Sequence, residues 1–166
     1  MGTARRKAIV GVGERAPSFD LRELDGGSRT LDELLAKGPV LLVFFKVTCP
    51  VCQLELPFLE RIHQQAGQEA GGAVAVYAIS QDNTEWTKDF RRRYGISFPM
   101  LLDAAGYPAS NAYGISIVPS AFLIERDGTV SWALEGFRKS EIQSLAGRFG
   151  VDPFRPGEYV PEAKAG

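Results

Sequence analysis

Histidine, cysteine and methionine are scarce in this sequence, which has one histidine, two cysteines and two methionines. The cysteines would need two further ligands to hold zinc, and the single His63 cannot supply both. Cys49 and Cys52 stand too close in the chain to staple a domain, so a disulfide scaffold is excluded. An excess of either charge is also missing. The 19 basic residues face 20 acidic ones for a net charge of −1, and a general nucleic-acid binder shows a basic excess. No hydrophobic run is long. The longest, Val40-Leu41-Leu42-Val43-Phe44-Phe45, falls far short of the ~20 residues that span a bilayer. Arg5-Arg6-Lys7 precede only Ala8-Ile9-Val10, and a signal peptide needs an apolar core of about 7–15 residues. A cytoplasmic location is therefore expected for the sequence as it stands, and a periplasmic one if a leader was removed. Internal repeats and low-complexity segments are absent.

With 166 residues, the chain is expected to form one domain with its own core. The expected divisions are a leader over 1–15, the domain over 16–150 and a tail over 151–166. The tail holds Pro153, Pro156 and Pro161 with little periodicity, so it lies on the domain or is loose. Gly11-Val12-Gly13 superficially fits a dinucleotide-binding fingerprint. That motif requires a strand before it and a helix after it, and Pro17 follows too soon.

Asp25-Gly26-Gly27 predicts a hairpin turn. Thr30 with Glu33 predicts a capped helix that stops at Gly38. Val40 to Phe45, bounded by Gly38-Pro39, predicts a strand buried on both faces. Pro50 suits a first helical position, giving a helix over 50–66, and Ala73 to Ile79 reads as the next strand. Strand, helix, strand at this spacing is a βαβ unit with a parallel sheet. A helix over 84–94, a short extended piece over 98–102 and a short helix or turn at 111–113 follow. Strands at 120–124 and 129–133 are joined across Asp127-Gly128, and Ser140 is expected to cap a last helix.

The cysteines fall where the buried strand ends and the helix starts. Unpaired N–H groups and the positive end of the helix dipole stabilise a thiolate there. Cys49 is expected to be the exposed N-cap and the nucleophile that attacks a client disulfide. Cys52, one turn in and more buried, resolves the mixed disulfide. A C-x-x-C pair within a βαβ pattern reads as a redox pair. Glu55 falls in the apolar stripe of Val51, Phe58, Leu59 and Ile62, one turn beyond Cys52. Burial there raises a carboxyl pKa and lets Glu55 exchange a proton with Cys52. Pro57 sits inside the same helix and removes one of its backbone bonds. Three features are expected to be idle. Arg91-Arg92-Arg93 reads as a solvated face, His63 as partly exposed, and Trp86 and Trp132 as core.

Several separated motifs resemble the TlpA/ResA type of thioredoxin-like protein, within the redoxin and AhpC/TSA superfamily. Gly13-Glu14-Arg15-Ala16-Pro17-Ser18-Phe19 with Leu24-Asp25-Gly26 resembles the family's opening hairpin. Cys49-Pro50-Val51-Cys52 with Glu55 and Pro57 resembles its active-site helix. Phe98-Pro99 with Leu102-Asp103 resembles its insertion. Tyr113-Gly114-Ile115 through Val118-Pro119-Ser120 to Asp127-Gly128 resembles its cis-proline loop and terminal hairpin. The resemblance implies an α/β thioredoxin fold, a central mixed sheet flanked by helices, with an added N-terminal β-hairpin and a central insertion. It implies a dithiol–disulfide cycle at Cys49 and Cys52, and an active-site role for Glu55. It also implies a cis Pro119 against the cysteines, with Val118 offering backbone groups to a peptide. Thr48 and Pro50 are expected to meet the client beside them.

The sequence departs from the pattern in two places. Thr48 stands where the family usually has tryptophan, and Val43 where thioredoxins bury an aspartate. Any proton relay therefore leans on Glu55. The expected partners are protein or peptide disulfides and a thiol electron donor. A monomer is expected, with no cofactor, metal, nucleic acid or membrane span. Two alternatives remain. A peroxiredoxin requires P-x-x-x-T-x-x-C, and neither cysteine has threonine at the needed position. A Cu(I) metallochaperone would use both thiolates, and no methionine or histidine flanks them.

Overall fold

The computed structural model describes residues 7–166. Arg5 and Arg6 of the expected leader lie outside the described residues. Strands β1 (Asp20–Glu23) and β2 (Ser28–Thr30) form the expected hairpin, followed by helix α1 (Leu31–Leu35). The Thr30 side chain caps α1 by accepting from Glu33 N at 3.2 Å. Next come β3 (Val40–Phe45), α2 (Pro50–Ala66), β4 (Ala75–Ser80) and α3 (Thr84–Arg93). β5 (Met100–Leu102), α4 (Pro108–Tyr113), β6 (Ser120–Ile124) and β7 (Val130–Glu135) follow. The chain continues with β8 (Phe137–Arg138), α5 (Lys139–Gly147) and β9 (Ala163–Lys164).

Seven strands form one mixed sheet in the order β2-β1-β5-β4-β3-β6-β7. β3 runs parallel to β4 and antiparallel to β6, so it sits at the centre. Its period of two divides the core. Leu41, Val43 and Phe45 point into one cluster, with Leu56, Leu59 and Ile62 of α2 and Ile142 and Leu145 of α5. Val40, Leu42 and Phe44 point into the other, with Leu31, Leu34 and Leu35 of α1 and Tyr113 of α4. All six residues of β3 are fully buried, as a continuous apolar strand between two helical layers requires. This is the thioredoxin fold with the N-terminal hairpin added at β1–β2, and α3 with β5 inserted before α4.

Four sequence expectations are corrected. Arg138, not Ser140, is the N-cap of α5, with no side-chain bond. The β8 backbone runs straight into the helix and leaves no turn for Ser140 to cap. Strand β4 begins at Ala75 rather than Ala73, because Val74 makes an isolated bridge to Gly67 first. His63 is 7 % exposed, not partly exposed, with its ring edge-on to Phe98 at 5.9 Å. Trp86 is 56 % exposed, whereas Trp132 is buried as expected.

Residues 7–15 and 151–166 both lie against the sheet domain. Val10 is buried and donates its N–H to Tyr113 O at 3.0 Å. The turn at Gly114 brings that segment close, and a Cβ at Gly114 would meet Ala8 O at 2.3 Å. On the opposite side, Phe154 packs against Phe58 with the rings tilted by 58° and centroids 4.7 Å apart. Arg61 makes a bidentate pair with Glu158 at 2.8 Å. These hydrogen bonds hold the Glu158 carboxyl down to about 2. β9 then pairs antiparallel with β8, a two-stranded sheet that had no sequence signal.

Candidate active site

The site stands at the carboxyl end of β3, where α2 begins. Cys49 is the N-cap of α2 in extended backbone, with Pro50 in the first turn. Its sulfur accepts the Cys52 backbone N–H at 3.1 Å, so the residue satisfies one of the helix's unpaired donors. The preceding loop is tied down. Asp82 accepts from Val47 N at 2.8 Å, and Gln53 Nε2 donates to Val47 O at 2.9 Å. No motif in the sequence signals either contact, since both depend on where β4 and α2 deliver distant residues.

Both cysteines are free thiols. Cys49 is half-buried, and Cys52 is 0 % exposed. Burial pushes the Cys52 thiol pKa far up, and its hydrogen bond with Cys49 and the nearby Glu55 charge add to the rise. The Cys49 thiol donates to Val118 O at 3.5 Å. The Val118–Pro119 peptide bond is cis. Pro119 is buried, and Ser120 Oγ donates to Ile117 O at 2.6 Å across the same loop.

Glu55 is also 0 % exposed. Neither of its carboxyl oxygens has a hydrogen-bond partner among the described residues. Burial alone raises its pKa well above the usual carboxylate range. Glu60, further along α2, is buried too, yet it accepts from Ser97 N at 2.7 Å and Ser97 Oγ at 2.6 Å. Glu60 is thus held by hydrogen bonds, while Glu55 is a buried acid with nothing to bond, on the helix that carries the thiols.

The structure therefore brings Cys49, Cys52, Glu55, Val118 and Pro119 to one end of the sheet. Thr48 and Pro50 flank the sulfur and are both exposed. Val43, deep in β3, is fully buried and carries no ionisable group. Lys46 and Trp86, which no sequence motif marks as functional, also reach the rim of the site. Among the described residues no cluster of His, Cys, Asp and Glu could hold a metal ion. No helix there is long and apolar enough to cross a membrane.

A thioredoxin fold with a dithiol at the N-terminus of α2, facing a cis-proline loop, defines the class as a thioredoxin-like dithiol protein. The model of the AhpC/TSA family matches residues 12–133, and the chain belongs to that family. A thiol-disulfide oxidoreductase ResA of Halalkalibacterium halodurans is 35% identical over 125 residues, covering 75% of this chain and 68% of the relative. A ResA of Bacillus thuringiensis is 30% identical over 136 residues, 81% of this chain and 76% of the relative. A solution structure from Bacteroides thetaiotaomicron, provisionally assigned as a protein disulfide isomerase, superposes with a TM-score of 0.74 at 30% identity. It covers 84% of this chain and 88% of that one.

Proposed function

We propose that this protein is a thiol-disulfide oxidoreductase that exchanges disulfides with protein or peptide clients through Cys49 and Cys52. The observation that carries the reading is the asymmetry of the two thiols. One sulfur stands half-buried at a helix N-terminus, and the other is sealed beneath it. ResA relatives at 30–35% identity, which carry the name of this activity, support it.

In the reducing direction the Cys49 thiolate attacks one sulfur of the client disulfide. The client S–S bond breaks, and its other sulfur leaves as a thiolate. Cys52 then gives up its proton and attacks Cys49 Sγ. A Cys49–Cys52 disulfide forms, and the second client sulfur leaves. The client gains two electrons and two protons, and the protein dithiol supplies them. A thiol donor restores the dithiol by the reverse chemistry.

In this reading Glu55 relays the Cys52 proton. Its carboxyl is a poor acid because it is buried, and Cys52 is a poor acid for the same reason. The two groups lie one helical turn apart, so the ionised Glu55 carboxylate can accept the proton that Cys52 gives up, and the protonated carboxyl can return it. Val118 offers its carbonyl at the sulfur, and Thr48, Pro50 and Pro119 frame the client's approach.

Trapping tests this reading. Cys52→Ser should accumulate a mixed disulfide with a peptide client through Cys49, and Cys49→Ser should accumulate none. Equal trapping by both variants would overturn it. Cell fractionation separates a cytoplasmic from a periplasmic location. Sedimentation tests the expected monomer.

A further inference from the structure

Two clefts flank the Cys49 sulfur, and each carries a cation with no partner among the described residues. On the α3 side, a cleft of about 360 Å³ is walled by Val47, Thr48, Gln53, Trp86, Arg93 and Tyr94. Thr48 adjoins Cys49 in the chain, so this cleft opens one residue from the nucleophile. Trp86 stands 56 % exposed on its wall. A single exposed apolar side chain is ordinary on any protein. This one is set apart by its place in a cleft beside a reactive thiol, with a guanidinium for company.

The three arginines of α3 differ in what they hold. Arg91 makes a bidentate pair with Asp25 at 2.7 Å. Arg92 holds Asp89, the one carboxylate that the described residues place on this cleft's wall. Arg93 has no ion pair and no side-chain hydrogen bond among the described residues. On the other flank, a cleft of about 710 Å³ is walled in part by Lys46, Gln81, Ser110, Ile115 and Val118, with Lys7 a second cation on its wall. No acidic residue among those described lines it, and Lys46 is exposed and equally unpaired there. The whole chain carries a net charge of −1. Free positive charge on both sides of the sulfur is therefore a local feature and not a reflection of overall charge.

We propose that these clefts select the client, an acidic polypeptide segment with an aromatic or large apolar side chain beside its cysteine. The apolar side chain packs on the indole of Trp86. Carboxylates on either side of the client cysteine meet Arg93 and Lys46, while the client backbone passes Val118. The indole on α3 supplies an aromatic wall where Thr48, next to the sulfur, has none. This selectivity rests on the disulfide-exchange reading above.

The test uses the full chain and disulfide-bridged peptides of one design. In one set the residues flanking the cysteine are Asp and Phe, in a second Lys and Phe, and in a third Asp and Ser. A small uncharged disulfide, hydroxyethyl disulfide, reports exchange without flanking residues. Surface charge contacts are individually weak, so the acidic peptide should be favoured over the basic one by roughly tenfold in kcat/KM at low salt. That preference should shrink as salt rises and reverse in the double variant Arg93→Glu, Lys46→Glu. Trp86→Ala should remove the preference for Phe over Ser. Equal rates for the acidic and basic peptides would overturn the selectivity, as would a preference that survives the double charge reversal. If the parent protein fails to exchange even with hydroxyethyl disulfide, the exchange reading itself falls, and the selectivity with it.

Discussion

Glu55 follows Cys52 by one turn of α2, and both side chains are fully buried, the carboxyl without a single hydrogen-bond partner among the described residues. Folding raises the Glu55 pKa by burial, so the folded state keeps a proton that the unfolded chain releases above the ordinary Glu pKa of about 4.3. Stability is then fully present below that value and falls as pH rises, by up to about 1.4 kcal/mol per pH unit, until the folded carboxyl itself ionises. Glu55→Gln removes this slope. In urea melts the variant should gain on the parent between pH 4.5 and 8. A constant difference across that range would mean that Glu55 reaches solvent.

The same variant should alter the exchange reaction. If Glu55 relays the Cys52 proton, the pH profile of disulfide reduction should shift in Glu55→Gln while the fold is retained. A profile that overlays the parent from pH 5 to 9 would remove Glu55 from the mechanism.

The two sulfurs should differ in access. Iodoacetamide should modify Cys49 in the reduced protein roughly tenfold or more faster than Cys52, because only the N-cap sulfur reaches the surface. Peptide mapping by mass spectrometry reads the order. Faster labelling of Cys52 would exchange the two roles.

Asp103, at the end of β5, accepts from Ala109 N at 2.9 Å and from Ser110 N and Ser110 Oγ at 2.8 and 2.6 Å. It thereby starts α4 and fixes Ser110 on the wall of the larger cleft. Asp103→Ala strands buried donors, which should cost about 2–4 kcal/mol in a denaturant melt. A loss under about 0.5 kcal/mol would mean that water replaces the carboxylate.

Truncation after Gly150 should also destabilise the domain. It strips Phe154 from Phe58, removes the Arg61–Glu158 pair and uncovers the site of Val160. Burial of two apolar side chains of this size makes the loss about 3 kcal/mol. An unchanged urea midpoint would show the 151–166 segment to be loosely attached in solution.

Local rules made much of this molecule legible in its sequence. The six apolar residues of β3 between Gly38-Pro39 and the cysteines leave no place but the centre of a sheet. Thr30 and Pro50 mark their helix starts because capping is a matter of a few adjacent residues. The position of Cys49 followed from Pro50, and the burial of Glu55 from its angle on α2. What escaped depends on contacts distant in sequence. Trp86 looks like core by its spacing to Phe90, but the buried face of α3 is set by Thr87, whose hydroxyl bonds Ser80 at 2.7 Å. Thr87 and Phe90 together make up the buried face, and the indole falls outside it. His63 is covered by Phe98, which arrives from the segment before β5. β8 and β9 pair only two residues each across a separation no short-range pattern records.

The site is expected to exchange disulfides and to turn over peroxide no faster than an ordinary thiol. One protein sample should be assayed both ways, with dithiothreitol as the donor. Reduction of a protein disulfide should proceed in the parent and disappear in Cys49→Ser. Consumption of hydrogen peroxide should stay near that of an ordinary thiol, since no threonine stands at the peroxidatic spacing from either cysteine. Fast peroxide turnover through a cysteine sulfenic acid, with no disulfide reduction, would contradict the account.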